Sequence, residues 1–170
     1  MAFRSLALPQ PMINTLSSPV QGVIPGRLWL QSMPGRFESW SAFLAEARLH
    51  GVSLVMCLNP LVEVARLSPI YHQALTEGSL PFRWQHLPMR DFGLGADPQA
   101  FRQGVEQLTD SLRQGAQVLL HCAAGIGRTG TVAACVLKSL GHDREAALAA
   151  VRSAGGNPQS ALQSGWVDQF

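Results

Sequence analysis

Lysine is nearly missing from this chain of 170 residues: Lys138 is the only one, and arginine carries the rest of the positive charge. Charged residues make up only 14% and the net charge is +2, with no cluster of basic residues. A nucleic-acid footprint is therefore not expected. Cysteine is sparse and odd in number, at 57, 122 and 135, with no Cys-x-x-Cys pair. That excludes a disulfide framework and gives no zinc signature, so a reducing cytoplasm is the expected setting. No apolar run reaches membrane-spanning length, and the opening "MAFRSLALPQPM" is broken by Pro9 and Pro11 before it can form a signal-peptide core. Neither membrane attachment nor a repeat architecture is expected.

What is present reads as strands alternating with helices. Residues 1–24 are rich in Pro, Ser and Gly and are expected to be irregular, leaving 25–170 as a single domain. "RLWLQS" reads as a strand. Helical spacing of apolar residues runs from Phe37 to Leu49 and stops at Gly51. "VSLVMCL" is an uninterrupted apolar run ending at Asn59-Pro60, as in a strand buried on both faces. A helix broken at Pro69, a strand "FRWQHL", a loop from Pro88 to Pro98 and an amphipathic helix from Gln99 to Gln114 follow. "AQVLLHC" is another buried strand. Arg128 to Leu140 is an apolar helix, and Asp143 caps a last full helix to about Arg152. The pattern predicts an α/β fold with a central, mainly parallel sheet flanked by helices. Ligands of such sheets sit beyond the carboxyl ends of the strands.

One of those ends carries "LLHCAAGIGRTG". Gly125, Gly127 and Gly130 allow the backbone to curl with its N–H groups inward, and the following helix adds its positive end. Arg128 contributes a planar fork that can hold two phosphate oxygens. No Gly-Lys-Ser/Thr sequence follows, so this is not a nucleoside-triphosphate loop. The field that attracts phosphate also stabilises a thiolate, which makes Cys122 the expected nucleophile without a separate base. The bland alternative for Cys122, a small buried hydrophobe, is outweighed by the glycines and arginine around it. Cys57 and Cys135 have no such surroundings and are read as core residues.

"HCAAGIGRTG" resembles the signature of the cysteine-dependent protein tyrosine and dual-specificity phosphatases, and the likeness extends from about Pro25 onward. The chain size and "PMRDFGLGADP" are most similar to the compact dual-specificity and kinase-associated-phosphatase-like group. Ala123 stands where strictly tyrosine-specific enzymes have Ser. The resemblance implies Cys122 and Arg128 as catalytic residues, with Ala123, Ala124, Gly125, Ile126, Gly127 and Arg128 enclosing the phosphate. It also implies an aspartate on a mobile loop upstream, which protonates the leaving oxygen. Asp91 matches that place; Asp97, before Pro98, is the rival, with helix capping as its sufficient structural role. Thr129 can bond the departing sulfur or simply fill the first helical turn. His121 is expected to bond neighbouring backbone and steady the loop. Gln163 loosely matches a glutamine that positions the hydrolytic water, or is an ordinary surface glutamine.

The function expected is hydrolysis of phosphotyrosine, with phosphoserine and phosphothreonine as further substrates, through a cysteinyl-phosphate. No cofactor or metal is expected, and the partner is a phosphorylated protein or peptide; the oligomeric state is not fixed by the sequence. Ala123, Ala124 and Ile126 carry no charge, unlike the lysine-rich loops that phosphoinositide phosphatases resemble. The alternatives are a phosphate-binding module without turnover and a rhodanese-like sulfur transferase. The Gly-x-x-Arg-Thr-Gly continuation counts against the latter. A low-molecular-weight phosphatase is disfavoured because its cysteine loop opens the chain, whereas here it comes late.

Overall fold

Apolar residues on both sides of three successive strands force helices onto both faces of one sheet. In the computed structural model, which describes residues 14–16, 24–90, 97–158 and 161–170, that sheet has five strands. They are β1 (Asn14–Leu16), β2 (Arg27–Gln31), β3 (Leu54–Cys57), β4 (Arg83–His86) and β5 (Gln117–His121), in the order β1-β2-β5-β3-β4. The four strands β2, β5, β3 and β4 run parallel, and β1 is antiparallel on the edge. The short β1 stands inside the segment expected to be irregular. Three residues of ladder leave too brief an alternation to be seen in sequence.

The double burial is explicit. Leu28, Leu30, Leu54, Met56, Val118 and Leu120 face one layer, while Trp29, Val55 and Leu119 face the other. The second layer contains α1 (Trp40–Leu49), α2 (Leu61–Leu67) and α3 (Pro69–Glu77). Ser39 accepts from Ala42 N and so starts α1 later than the apolar spacing suggests. The helix from Leu61 is broken before Pro69, as expected.

The first layer holds α4 (Pro98–Arg113), α5 (Gly127–Ser139), α6 (Arg144–Ser153) and α7 (Ala161–Gln169). Asp143 accepts from Ala146 N and caps α6. Yet α6 is not the last helix: α7 follows, its low amphipathicity having hidden it from a periodicity reading. Trp166 anchors it against Phe101, ring centroids 4.7 Å apart, and Lys138 Nζ donates to Val167 O at 2.6 Å. All four tryptophans serve the core: Trp29 and Trp166 are buried, and Trp40 and Trp84 pack against its second layer. Among the described residues no helix is long and apolar enough to cross a membrane.

Candidate active site

The central strand β5 delivers His121 and Cys122 to the carboxyl end of the sheet, and α5 begins at Gly127. The intervening turn is pinned from two sides. On one side Gly125 adopts φ +75°, and a Cβ there would lie 2.5 Å from the Gln31 carbonyl carbon at the end of β2. Only glycine fits, for both reasons. On the other side a Cβ on Gly130 would lie 2.4 Å from Asn157 N. That close approach lets Asn157 N donate to Ile126 O at 2.9 Å, tying the loop to the segment after α6. A third tether comes from the β2–α1 connection: Met33 N and Arg36 Nη1 both donate to Ala123 O, at 3.3 and 2.7 Å.

Within this frame Cys122 is 2% exposed and its Sγ accepts from Gly125 N at 3.3 Å. A backbone N–H aimed at sulfur is the arrangement an anion nest requires. Burial pushes Cys57 and Cys135 each up to about 12, so both stay protonated and inert. Thr129 is fully buried one position after Arg128. The side chains of Ala124 and Ile126 face solvent, whereas Ala123 is turned inward.

Arg128 is almost fully buried, which is unusual for a guanidinium and requires a partner. Glu63, at the start of α2, supplies it. Nη1 donates to Oε2 at 2.8 Å and Nη2 to Oε1 at 3.0 Å, a two-pronged pairing. Nη1 also donates to Met89 O at 3.0 Å. The hydrogen bonds from Arg128 hold the Glu63 carboxyl below its ordinary value, so it stays ionised. Sequence reasoning missed Glu63. Its only signal was a carboxylate in the first turn of a helix following a buried strand, which helix polarity alone explains.

His121 is completely buried, and burial pushes its imidazole down to about 3. It is therefore neutral and no general base. Its Nε2 lies 3.0 Å from Tyr71 Oη, and Trp84 Nε1 donates to that same oxygen at 2.8 Å. An indole N–H can only donate, so the phenol oxygen accepts from Trp84 and shares a second hydrogen bond with His121 Nε2. The chain Trp84–Tyr71–His121 ties the loop to α3 and β4 through side chains.

Of the acid candidates, Asp91 lies outside the described residues, as does Phe92 beside it. Asp97 caps α4, accepting from Gln99 N at 2.9 Å. Beside it is a cleft of about 310 Å³, lined chiefly by Pro60, Leu87, Pro88, Met89 and Ala100, with Arg90 on its wall. Gln163 is 1% exposed on α7, so it is not the ordinary surface glutamine. Among the described residues no three His, Cys, Asp or Glu side chains converge to hold a metal ion.

These features agree with the relatives. A family model described as PTP-SAK, a Swiss Army Knife protein with a DSP-PTPase phosphatase domain, matches residues 18–164. Protein 067L of Invertebrate iridescent virus 3, whose name assigns it provisionally to the tyrosine phosphatases, is 30% identical over 106 residues. That match takes in 61% of this chain but only 40% of the viral protein. Kinase associated phosphatase, solved with its catalytic-site cysteine replaced by serine, superposes with TM-score 0.76 at 22% identity over 96% of each chain. TpbA of P. aeruginosa, solved with phosphotyrosine, gives TM-score 0.61 at 22% identity over 95% of this chain and 86% of that one. With a cysteine and an arginine on one pinned turn of a four-strand parallel sheet, the chain belongs to the PTP-SAK family of dual-specificity phosphatase domains.

Proposed function

We propose that this protein hydrolyses phosphate monoesters of protein side chains, phosphotyrosine foremost, through a phosphate ester of Cys122. The observation that carries the reading is the sulfur at the base of the turn, contacted by Gly125 N, in a loop whose buried arginine is held in place by Glu63. In the first step Sγ of Cys122 attacks phosphorus. An S–P bond forms, the P–O bond to the side chain breaks, and the leaving oxygen takes a proton from Asp91. The loop amides and the Arg128 guanidinium stabilise the charge spread over the three equatorial oxygens, with Glu63 fixing the plane of the guanidinium from behind.

In the second step water gives a proton to Asp91 and attacks phosphorus. The S–P bond breaks, inorganic phosphate departs, and the sulfur leaves as thiolate with the Thr129 hydroxyl donating to it. Gln163, buried on the same side of the sheet, is assigned to orient that water. His121 keeps the strand end in register through Tyr71 and exchanges no proton with substrate. Phosphotyrosine is favoured because a phenolate leaves more readily than an alkoxide. The uncharged Ala123, Ala124 and Ile126 suit a single phosphate.

Turnover of an aryl phosphate without added metal, inhibited by vanadate and abolished in Cys122→Ser, is the expected result. Activity that survives the substitution, or that requires a divalent ion, overturns the mechanism. Asp91→Asn should lower kcat by about a hundredfold. Asp97→Ala should mainly reduce stability, by about 1 kcal/mol, through loss of the cap; the reverse ranking for turnover would move the acid to Asp97.

A further inference from the structure

Six large apolar side chains are exposed among the described residues: Phe37, Leu49, Leu61, Val62, Ile70 and Ile126. Leu49 closes α1 at the far end of the sheet. The other five gather at the end where Cys122 lies. Ile126 belongs to the cysteine turn itself, and Leu61 and Val62 open α2 beside Glu63. Phe37 follows Arg36 on the connection from β2. Ile70 opens α3 against that same connection, its Cγ2 3.0 Å from where a Gly35 Cβ would sit. Scattered apolar residues on a surface need no explanation, but five around one loop do.

Phe37 is the most specific of them. It is 69% exposed, yet its ring is held. The Arg36 guanidinium lies over it at 4.4 Å, and the same guanidinium donates to Ala123 O at 2.7 Å. The ring is thus coupled in two steps to the turn that carries the sulfur. Its orienting cation is committed to the ring and to that carbonyl. The side chains that project from the loop, Ala124 and Ile126, are uncharged, and the exposed cations of the neighbouring segments are Arg66 and Arg90. A pre-ordered aromatic wall with aliphatic neighbours is suited to apolar side chains.

We infer that this rim selects the substrate. Its occupant is a peptide whose phosphorylated residue is flanked by apolar side chains, which pack on Phe37, Val62 and Ile126 as the phosphate enters the turn. The inference rests on the phosphatase reading and names the substrate class for that site. It is tested with phosphotyrosyl peptides carrying Leu and Val flanks or Glu flanks, with a small aryl phosphate as a substrate too short to touch the rim. The native chain should favour the apolar-flanked peptide by about tenfold or more in kcat/KM. Phe37→Ser and Val62→Ser should each remove roughly three- to tenfold of that preference through KM, while aryl phosphate turnover stays within about twofold.

Equal rates on both peptides, or a preference unchanged in both variants, overturn the inference. So does a higher rate on vesicles of phosphatidylcholine containing a monophosphorylated inositol lipid, which would assign the rim to a bilayer. If even the aryl phosphate is not hydrolysed, the phosphatase reading fails, and the inference with it. If the aryl phosphate is hydrolysed without flank preference, only the inference fails.

Discussion

Replacing Glu63 isolates what a buried guanidinium needs. The Arg128 side chain is 1% exposed and that of Glu63 15%, and two parallel hydrogen bonds of 2.8 and 3.0 Å join them. Removing one partner of a fully buried pair costs about 3–5 kcal/mol, because the other charge stays in place unpaired. The outer edge of Glu63 meets solvent, which screens part of this, so Glu63→Ala should cost about 2–4 kcal/mol. Glu63→Gln retains one acceptor and should cost less, about 1–2 kcal/mol. For a chain of this size the Ala variant should melt roughly 5–15 °C lower. Since Glu63 is ionised below its usual range, the pair contributes fully above the ordinary glutamate value. Its contribution is lost as pH falls through the lower folded value, so the gap between native and variant should close at acid pH. Thermal melts between pH 7 and pH 3.5 measure this. Turnover is the sharper readout. A guanidinium freed to tilt by an ångström should lose about ten- to a hundredfold in kcat/KM. Two outcomes refute the reasoning: vanadate binding that tightens in Glu63→Gln, which would make Glu63 a competitor of phosphate, or a melting point unchanged in Glu63→Ala.

Two further predictions concern the supports of the turn. His121 is neutral when folded, with its imidazole near 3, while the unfolded chain binds a proton at its ordinary value near 6.5. Stability is therefore full above about pH 6.5 and falls below it, by about 2 kcal/mol at pH 5. Urea denaturation of the native chain and His121→Asn should show a shallower pH slope in the variant. Gly130→Ala places a methyl 2.4 Å from Asn157 N, a backbone atom that cannot yield cheaply. It should cost about 2 kcal/mol or more and lower kcat, measured by denaturation and aryl phosphate turnover.

The layers were legible because "VSLVMCL" and "AQVLLHC" hold unbroken apolar runs, residues 54–58 and 118–120, as strands of a parallel sheet buried on both faces do. The cysteine turn was legible because Gly125 marks a backbone conformation that other residues rarely adopt and the thiol and guanidinium stand close in sequence. What did not show are contacts between distant segments. Glu63 and Arg128 are 65 positions apart, and nothing local to α2 indicates that its first-turn carboxylate faces a guanidinium. Tyr71 is 50 positions from His121, so its claim on the imidazole was equally hidden. Gln163 stood open between a water-positioning and a surface reading because α7 lacks the strong periodicity that distinguishes inner from outer positions. Asp97 read correctly as a cap because capping depends only on the residues next to it.

Several tethers meet the cysteine turn at its own main-chain atoms: Gln31 against Gly125, Met33 N and the Arg36 side chain on the Ala123 carbonyl, Asn157 N on the Ile126 carbonyl. The side chains of Ala124 and Ile126 contribute to none of these tethers and point outward. Those two positions are thus decoupled from the framework. Lysines grafted there would retune the loop toward multiply charged esters and leave its curvature intact, so divergence of preference among such domains needs no remodelling of the machinery beneath.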